Sequence, residues 1–197
     1  MEQSPPQQRM KRSERREQLL DVAAKLLLDQ GAPSVTMERL AEWAGVSKAL
    51  PYAHFENSND VLVALRDRET ARVAFAMWEA TSRTGPPERL DAMVDAYLDA
   101  VEHSAELLAV VAGPGAIVTN PNDREDRLGP TFVAALLEEH LDVPASSARA
   151  VAPTVLGALM GAAEGWSAGD TDRFTTRQMV TETLVTLLDF ARAVPEN

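Results

Sequence analysis

The chain has 197 residues, 45% of them hydrophobic and 25% charged, which is ordinary usage for a packed domain and argues against disorder as the main state. It has no cysteine, which excludes disulfides, thiolate metal sites and a catalytic thiol. The net charge of −11 is unevenly spread: residues 1–16 carry an excess of three positive charges, through Arg9, Lys11, Arg12, Arg15 and Arg16, while residues 61–197 carry an excess of ten negative ones.

Residues 1–12 read as a disordered basic arm, with no apolar segment of a signal peptide behind them. The longest uncharged apolar stretch, 150–163, contains Pro153 and falls short of the roughly 20 residues that cross a bilayer. A cytoplasmic location is therefore expected, with no membrane partner. A first helix is predicted over 13–30, because Leu19, Val22, Ala23, Leu26 and Leu27 fall on one stripe and Gly31 stops it. Thr36 reads as the N-cap of a second helix, with Glu38 in its first turn and Met37, Leu40, Ala41 and Ala44 inward. Gly45 ends that helix. Ser47 reads as a second N-cap, followed by a short helix over 48–54. Two short helices joined through Ala44-Gly45-Val46-Ser47 make a helix-turn-helix, with Leu40, Val46 and Phe55 as the wedge between them.

Beyond the turn at Glu56-Asn57-Ser58, a long helix is predicted over 59–83, then helices over 88–103 and 106–112. The turn-rich stretch 113–130 reads as a loop. Three helices over 131–141, 147–168 and 176–194 follow. The expected fold is thus all-α: a three-helix domain over 13–56, with its helix-turn-helix motif at 36–55, and a second helical domain over 57–197.

The run from Arg15-Arg16 to Leu65 resembles the TetR family of bacterial regulators, through Leu20-Asp21-Val22-Ala23-Ala24-Lys25-Leu26-Leu27, Gly31 to Thr36, Met37 through Lys48, and Tyr52-Ala53-His54-Phe55. The resemblance implies a DNA-binding domain over 13–56, with its third helix in the major groove, and a helical ligand-binding and dimerisation domain over 57–197, with a dimer through the last two helices and a ligand pocket among the middle ones. Two positions depart from the pattern. Pro51 stands where a branched apolar residue is usual, and it pushes Leu50 from helical angles or tightens the turn. Ser58 stands where the family usually has a lysine near a phosphate.

Arg15, Arg16, Thr36, Ser47, Lys48, Ala49, Leu50, Tyr52 and His54 are the candidate DNA contacts. Lys48 and Tyr52 suit phosphates, Thr36 adds a hydroxyl and a helix N-terminus, and Ala49, Leu50 and His54 face base edges. Phe75, Met77, Trp78, Met93, Tyr97, His103 and Trp166 are candidates to line a pocket for a small apolar or amphipathic ligand, with plain core as the competing role. Gly157, Gly161 and Gly165 recur every four residues on a helix that is apolar almost all round, and with Leu184 and Leu188 they are the candidate homodimer contacts. His54, His103 and His140 lack metal-ligand spacing, so neither a metal nor a cofactor is expected, and no enzymatic constellation stands out. The expected function is a repressor released from double-stranded operator DNA by a small molecule. A ligand-independent DNA-binding or protein-interaction regulator and a helical enzyme with a vestigial DNA module are the alternatives.

Overall fold

A computed structural model describes residues 11–112 and 128–193. These residues form eight α-helices and one 3₁₀ turn, with no strand among them. They fall into two compact units, 11–66 with 110–112 and 67–109 with 128–193, so that the long fourth helix is divided after Arg66.

In the first unit, α1 (Arg12–Gln30) buries Leu19, Leu20, Ala23, Ala24, Leu26 and Leu27. It ends at Gly31, whose φ of 76° costs a glycine nothing and whose N–H closes on the Leu27 carbonyl at 2.8 Å. A 3₁₀ turn, Ala32–Ser34, follows, with the Ser34 hydroxyl 2.8 Å from the Leu26 carbonyl and 2.7 Å from that of Gly31. Thr36 caps α2 (Met37–Trp43) as expected, its hydroxyl accepting from the Arg39 N–H at 3.3 Å. Gly45, at φ 64°, makes the bend, and the Val46 N–H bonds back to the Ala41 carbonyl at 2.9 Å.

The third helix, α3, covers only Ala49–Tyr52, shorter than the 48–54 expected. Ser47 does not cap it. Lys48 holds the cap position without a side-chain bond, and the Ser47 carbonyl accepts from the Leu50 N–H at 2.9 Å. That tight i→i+3 closure absorbs the N–H missing from Pro51, and Leu50 stays within the helix. Ala53 and His54 turn out of the helix, and Phe55 sinks into the core. The helix α4 (Ser58–Arg83) opens on a reciprocal cap: Asn57 Oδ1 accepts from the Asp60 N–H and Asp60 Oδ2 from the Glu56 N–H, both at 3.0 Å. Its first turns bury Val61, Leu62 and Leu65.

The second unit holds the rest of α4, most of α5 (Arg89–Ala112), α6 (Leu128–His140), α7 (Ala145–Ser167) and α8 (Arg173–Ala193). The two helices expected over 88–112 are one, since neither glycine nor proline interrupts the chain between His103 and Glu106. Of the expected loop, residues 113–127 lie outside the described ones and 128–130 belong to α6. Pro130 is tolerated there because its first-turn N–H would have no intrahelical partner. A Cβ on Gly129 would come within 2.9 Å of Leu156 Cδ2, so glycine permits the close approach of α6 to α7. The final helix begins three residues earlier than expected because Asp172 Oδ1 accepts from the Thr175 N–H at 2.7 Å, a bond that also holds the Asp172 carboxyl below its ordinary pKa.

One apolar cluster joins these helices through Met93, Leu98, Leu136, Leu137, Leu159 and Leu184, each at most 1% exposed. Outside it, Arg177 pairs with Asp95 at 2.6 Å and Asp91 at 3.1 Å, and Arg173 with Asp99 and with Glu102 at 2.9 Å, tying α8 to α5. These pairs are largely exposed, so they register the two helices more than they stabilise them. No helix among the described residues is long and apolar enough to cross a membrane.

Candidate nucleic-acid interface

The surface of α3 is built from little helix and much support. Ser47, Lys48, Ala49, Tyr52 and Ala53 are exposed, Tyr52 by 55% although it is aromatic. Leu50 is half-buried, and Pro51 and Phe55 face inward and hold the helix to its unit. An ammonium, a phenol hydroxyl and two methyl groups thus stand on one short exposed ridge. Such a ridge suits a groove lined with anions and base edges.

The first turns of α1 lie against the end of this ridge. Arg12 Nη2 donates to the Ala53 carbonyl at 3.2 Å, and the Arg16 guanidinium lies 4.9 Å from the centre of the Phe55 ring, a cation–π distance. Arg15 Nη1 instead donates along its own helix to Gln18 Oε1 at 2.5 Å. Between Ala53 and Phe55, His54 is half-buried, its ring 6.4 Å from that of Phe55. Desolvation pushes the His54 pKa below its ordinary value, with further lowering from Arg12, Arg16 and Arg15. At neutral pH the ring is therefore uncharged, able to donate through one nitrogen and accept through the other.

Of the nine candidate contacts, Arg15, Arg16, Ser47, Lys48, Ala49, Leu50, Tyr52 and His54 gather at α3 and the start of α1, while Thr36 sits at the head of α2. Arg12 was not among them, and its bond to Ala53 crosses 41 positions that no local pattern links. On α2, the Arg39 guanidinium lies 5.8 Å from the Trp43 ring and donates to Gln30 Oε1 at 2.7 Å, and Trp43 is 43% exposed.

The seven pocket candidates do not converge. Met77, Met93 and Tyr97 are core, and the Tyr97 hydroxyl, its pKa raised by burial, already donates to the Leu159 carbonyl at 2.8 Å. Phe75 is 65% exposed, and the exposed His103 ring bonds the Asp99 carbonyl at 2.7 Å. Trp166 is half-buried with Arg173 at 5.7 Å. Trp78 meets the His140 ring edge-on at 4.4 Å. His140 in turn helps line a cleft of about 230 Å³ with Pro87, Leu90, Leu141, Val185 and Arg192, none of them a candidate. No group of three or more acidic or histidine side chains that could hold a metal occurs among the described residues.

The dimer candidates divide into two sets. Gly157, Gly161 and Gly165 face open space: a Cβ on any of them would meet nothing within 4 Å. Leu184 and Leu188 do not belong with them. They are 1% and 2% exposed in the chain's own core, and the opposite side of α8 carries the open apolar groups, Val185 and Phe190 at 42% and 65%.

The family model of bacterial regulatory proteins, tetR family, matches residues 19–65. The chain is 33% identical over 99 residues to the HTH-type transcriptional activator FasR of Mycolicibacterium smegmatis, which covers 50% of this chain and 45% of that protein. It is 34% identical over 103 residues to the HTH-type transcriptional regulator BetI of Rhizobium meliloti, covering 48% and 47%. The match thus spans about half the length of these two regulators. Among solved structures, a TetR-family transcriptional regulator from Streptomyces coelicolor superposes with a TM-score of 0.69 at 21% identity, over 90% of this chain and 99% of that one. The fatty acid degradation regulator FadR of Bacillus halodurans does so with a TM-score of 0.65 at 19% identity, over 91% and 97%.

Proposed function

We propose that the chain is a regulator of the tetR family, whose model matches residues 19–65, and that it is a homodimeric transcriptional regulator that occupies double-stranded operator DNA and answers to a small-molecule effector. The observation that carries this reading is the exposed ridge of Lys48, Ala49 and Tyr52 on α3, flanked by the arginines of α1. Lys48 and Tyr52 contact phosphates, with Thr36 and the head of α2 beside them. Ala49, the exposed part of Leu50 and the neutral His54 ring meet base edges.

Two copies join through the open faces of α7 and α8, where Gly157 and Gly161 admit a close approach and Met160 and Phe190 supply apolar area. Twofold symmetry then calls for an operator of two inverted half-sites about 34–36 Å apart, or a multiple of that spacing. Occupancy represses transcription by covering the promoter. The M. smegmatis relative is by name an activator, so a reporter gene placed behind the operator reads the sign for this chain. A small amphipathic effector fits the cleft near His140 and Arg192, whose lining is apolar apart from His140, Arg89, Arg192, Asp142 and Asp189. Its binding releases DNA by favouring a dimer geometry in which the two α3 helices no longer match the half-sites.

The test is recovery of bound fragments from a genomic library. Enrichment of one inverted repeat supports the reading, and fragments recovered at random would overturn it. A ligand-independent regulator is the second reading, favoured by the packed core around Met77, Met93 and Tyr97. A small molecule that raises the melting temperature and releases the enriched repeat would exclude it.

A further inference from the structure

The helix α3 has few means of holding its own shape. It is four residues long, lacks a side-chain cap at its start, and has Pro51 inside it. Its last turn closes through tight bonds, Ala53 N–H to the Leu50 carbonyl and His54 N–H to the Pro51 carbonyl, each at 3.0 Å. A single helical turn is marginal without outside support. Beside the buried Pro51 and Phe55, that support comes from two residues one turn apart on α1. Arg12 bonds the Ala53 carbonyl, one of the helix-end acceptors that lack an intrahelical donor, and Arg16 lies over the ring of Phe55, which is 2% exposed.

We infer that Arg12 and Arg16 are positioning residues: they fix the C-terminal end of α3 through Ala53 and Phe55, and so set how sharply the protein discriminates among DNA sequences. The inference rests on the DNA-binding reading above. It separates these two arginines from Arg15, which carries the same charge in the same stretch but, among the described residues, donates its side-chain hydrogen bond to Gln18 of its own helix. A guanidinium that merely neutralises a phosphate strengthens binding to every sequence alike. One that holds the reading helix acts on the difference between sequences, since contacts to base edges depend on side-chain placement.

Arg15 is therefore the built-in control. Arg12→Ala, Arg16→Ala and Arg15→Ala each remove one positive charge, and each is compared with the parent on two duplexes. One is the tightest duplex that the parent selects from a random-sequence pool, and the other is a scrambled duplex of the same composition. Arg12→Ala and Arg16→Ala are expected to lower the selected-to-scrambled affinity ratio about tenfold, the order of one lost base contact. They should also speed hydrogen exchange at the amides of residues 53–55. Arg15→Ala should lower both affinities together and reduce the salt slope by about one. Arg12 is exposed, so Arg12→Ala carries the test even if Arg16→Ala lowers the melting temperature. Three variants that keep the parent's ratio, or lose it equally, would overturn the inference. If the parent itself enriches no sequence, the DNA-binding reading fails first and the inference falls with it.

Discussion

The four residues of α3 include two exposed ones, Ala49 and Tyr52, whereas α8 has 21 and sinks Val180, Leu184, Leu188 and Ala191 into a continuous core. The short helix takes its stability from a few point attachments: the buried Pro51 and Phe55, the Arg12 bond and the Arg16 contact. The long one spreads its attachment over an apolar face and adds two arginines at the rim. An element that must present side chains to a partner cannot also bury them, so its support is borrowed from neighbours. An element that only packs can afford a full inner face.

The contrast is broken most directly at Leu184. Leu184→Ala leaves a cavity in the second unit and should cost about 2–5 kcal/mol, read as a lower urea midpoint at unchanged slope. A loss below about 1 kcal/mol would mean that the inner face of α8 does not carry the unit. Next comes the opposite side of the same helix pair. Gly161→Leu has room within one chain, so the fold should survive, but the added side chain obstructs a close helix–helix interface at a cost of about 1–3 kcal/mol for each copy. Sedimentation should show monomer at micromolar concentration. An undisturbed dimer would move the interface elsewhere.

At α3 the expected changes are in recognition more than stability. Pro51→Leu restores an N–H, but the Ser47 carbonyl it would seek already accepts from Leu50, so the melting temperature should shift by the equivalent of about 1 kcal/mol or less. Selection of the preferred duplex should weaken while affinity for scrambled DNA stays the same. Equal selectivity in both proteins would show that the proline shapes nothing. The smallest effect concerns pH. His54 has its folded-state pKa below the unfolded value of about 6.5, so the unfolded chain binds more protons in that window. Stability contributed there is complete above pH 6.5 and declines as the pH falls through the window towards the folded pKa. His54→Gln should flatten the drop in melting temperature between pH 7.5 and 5.5, and an unchanged profile would place the titration on another group.

The ends of α1 and α2 were legible because their signals are local: Gly31, Thr36 and Gly45 each act within a few residues of where they stand. The end of α3 was not, because its fixing partner is Arg12. On α8 the pattern revealed two apolar sides, Val180-Leu184-Leu188 and Val185-Phe190, but helical period cannot say which one a chain keeps for its own core. The pocket candidates rest on side-chain type, and type does not separate a methionine that lines a cavity from one that fills it. Met77 and Met93 fill it. The cleft near His140 leaves no signal in the sequence because it is assembled from the ends of α5 and α6 and one side of α8, positions that share no periodic pattern.

The Arg39–Trp43 stack has an optical consequence. The chain has three tryptophans, and Trp43 is the one within residues 11–66, while Trp78 and Trp166 belong to the other unit. Being 43% exposed, Trp43 should emit at long wavelength and be quenched by iodide or acrylamide, whereas the half-buried Trp78 and Trp166 emit further to the blue. A variant carrying Trp78→Phe and Trp166→Phe would place all the indole fluorescence under Arg39. A titration followed at that wavelength would report on the helix-turn-helix alone, with the rest of the molecule dark.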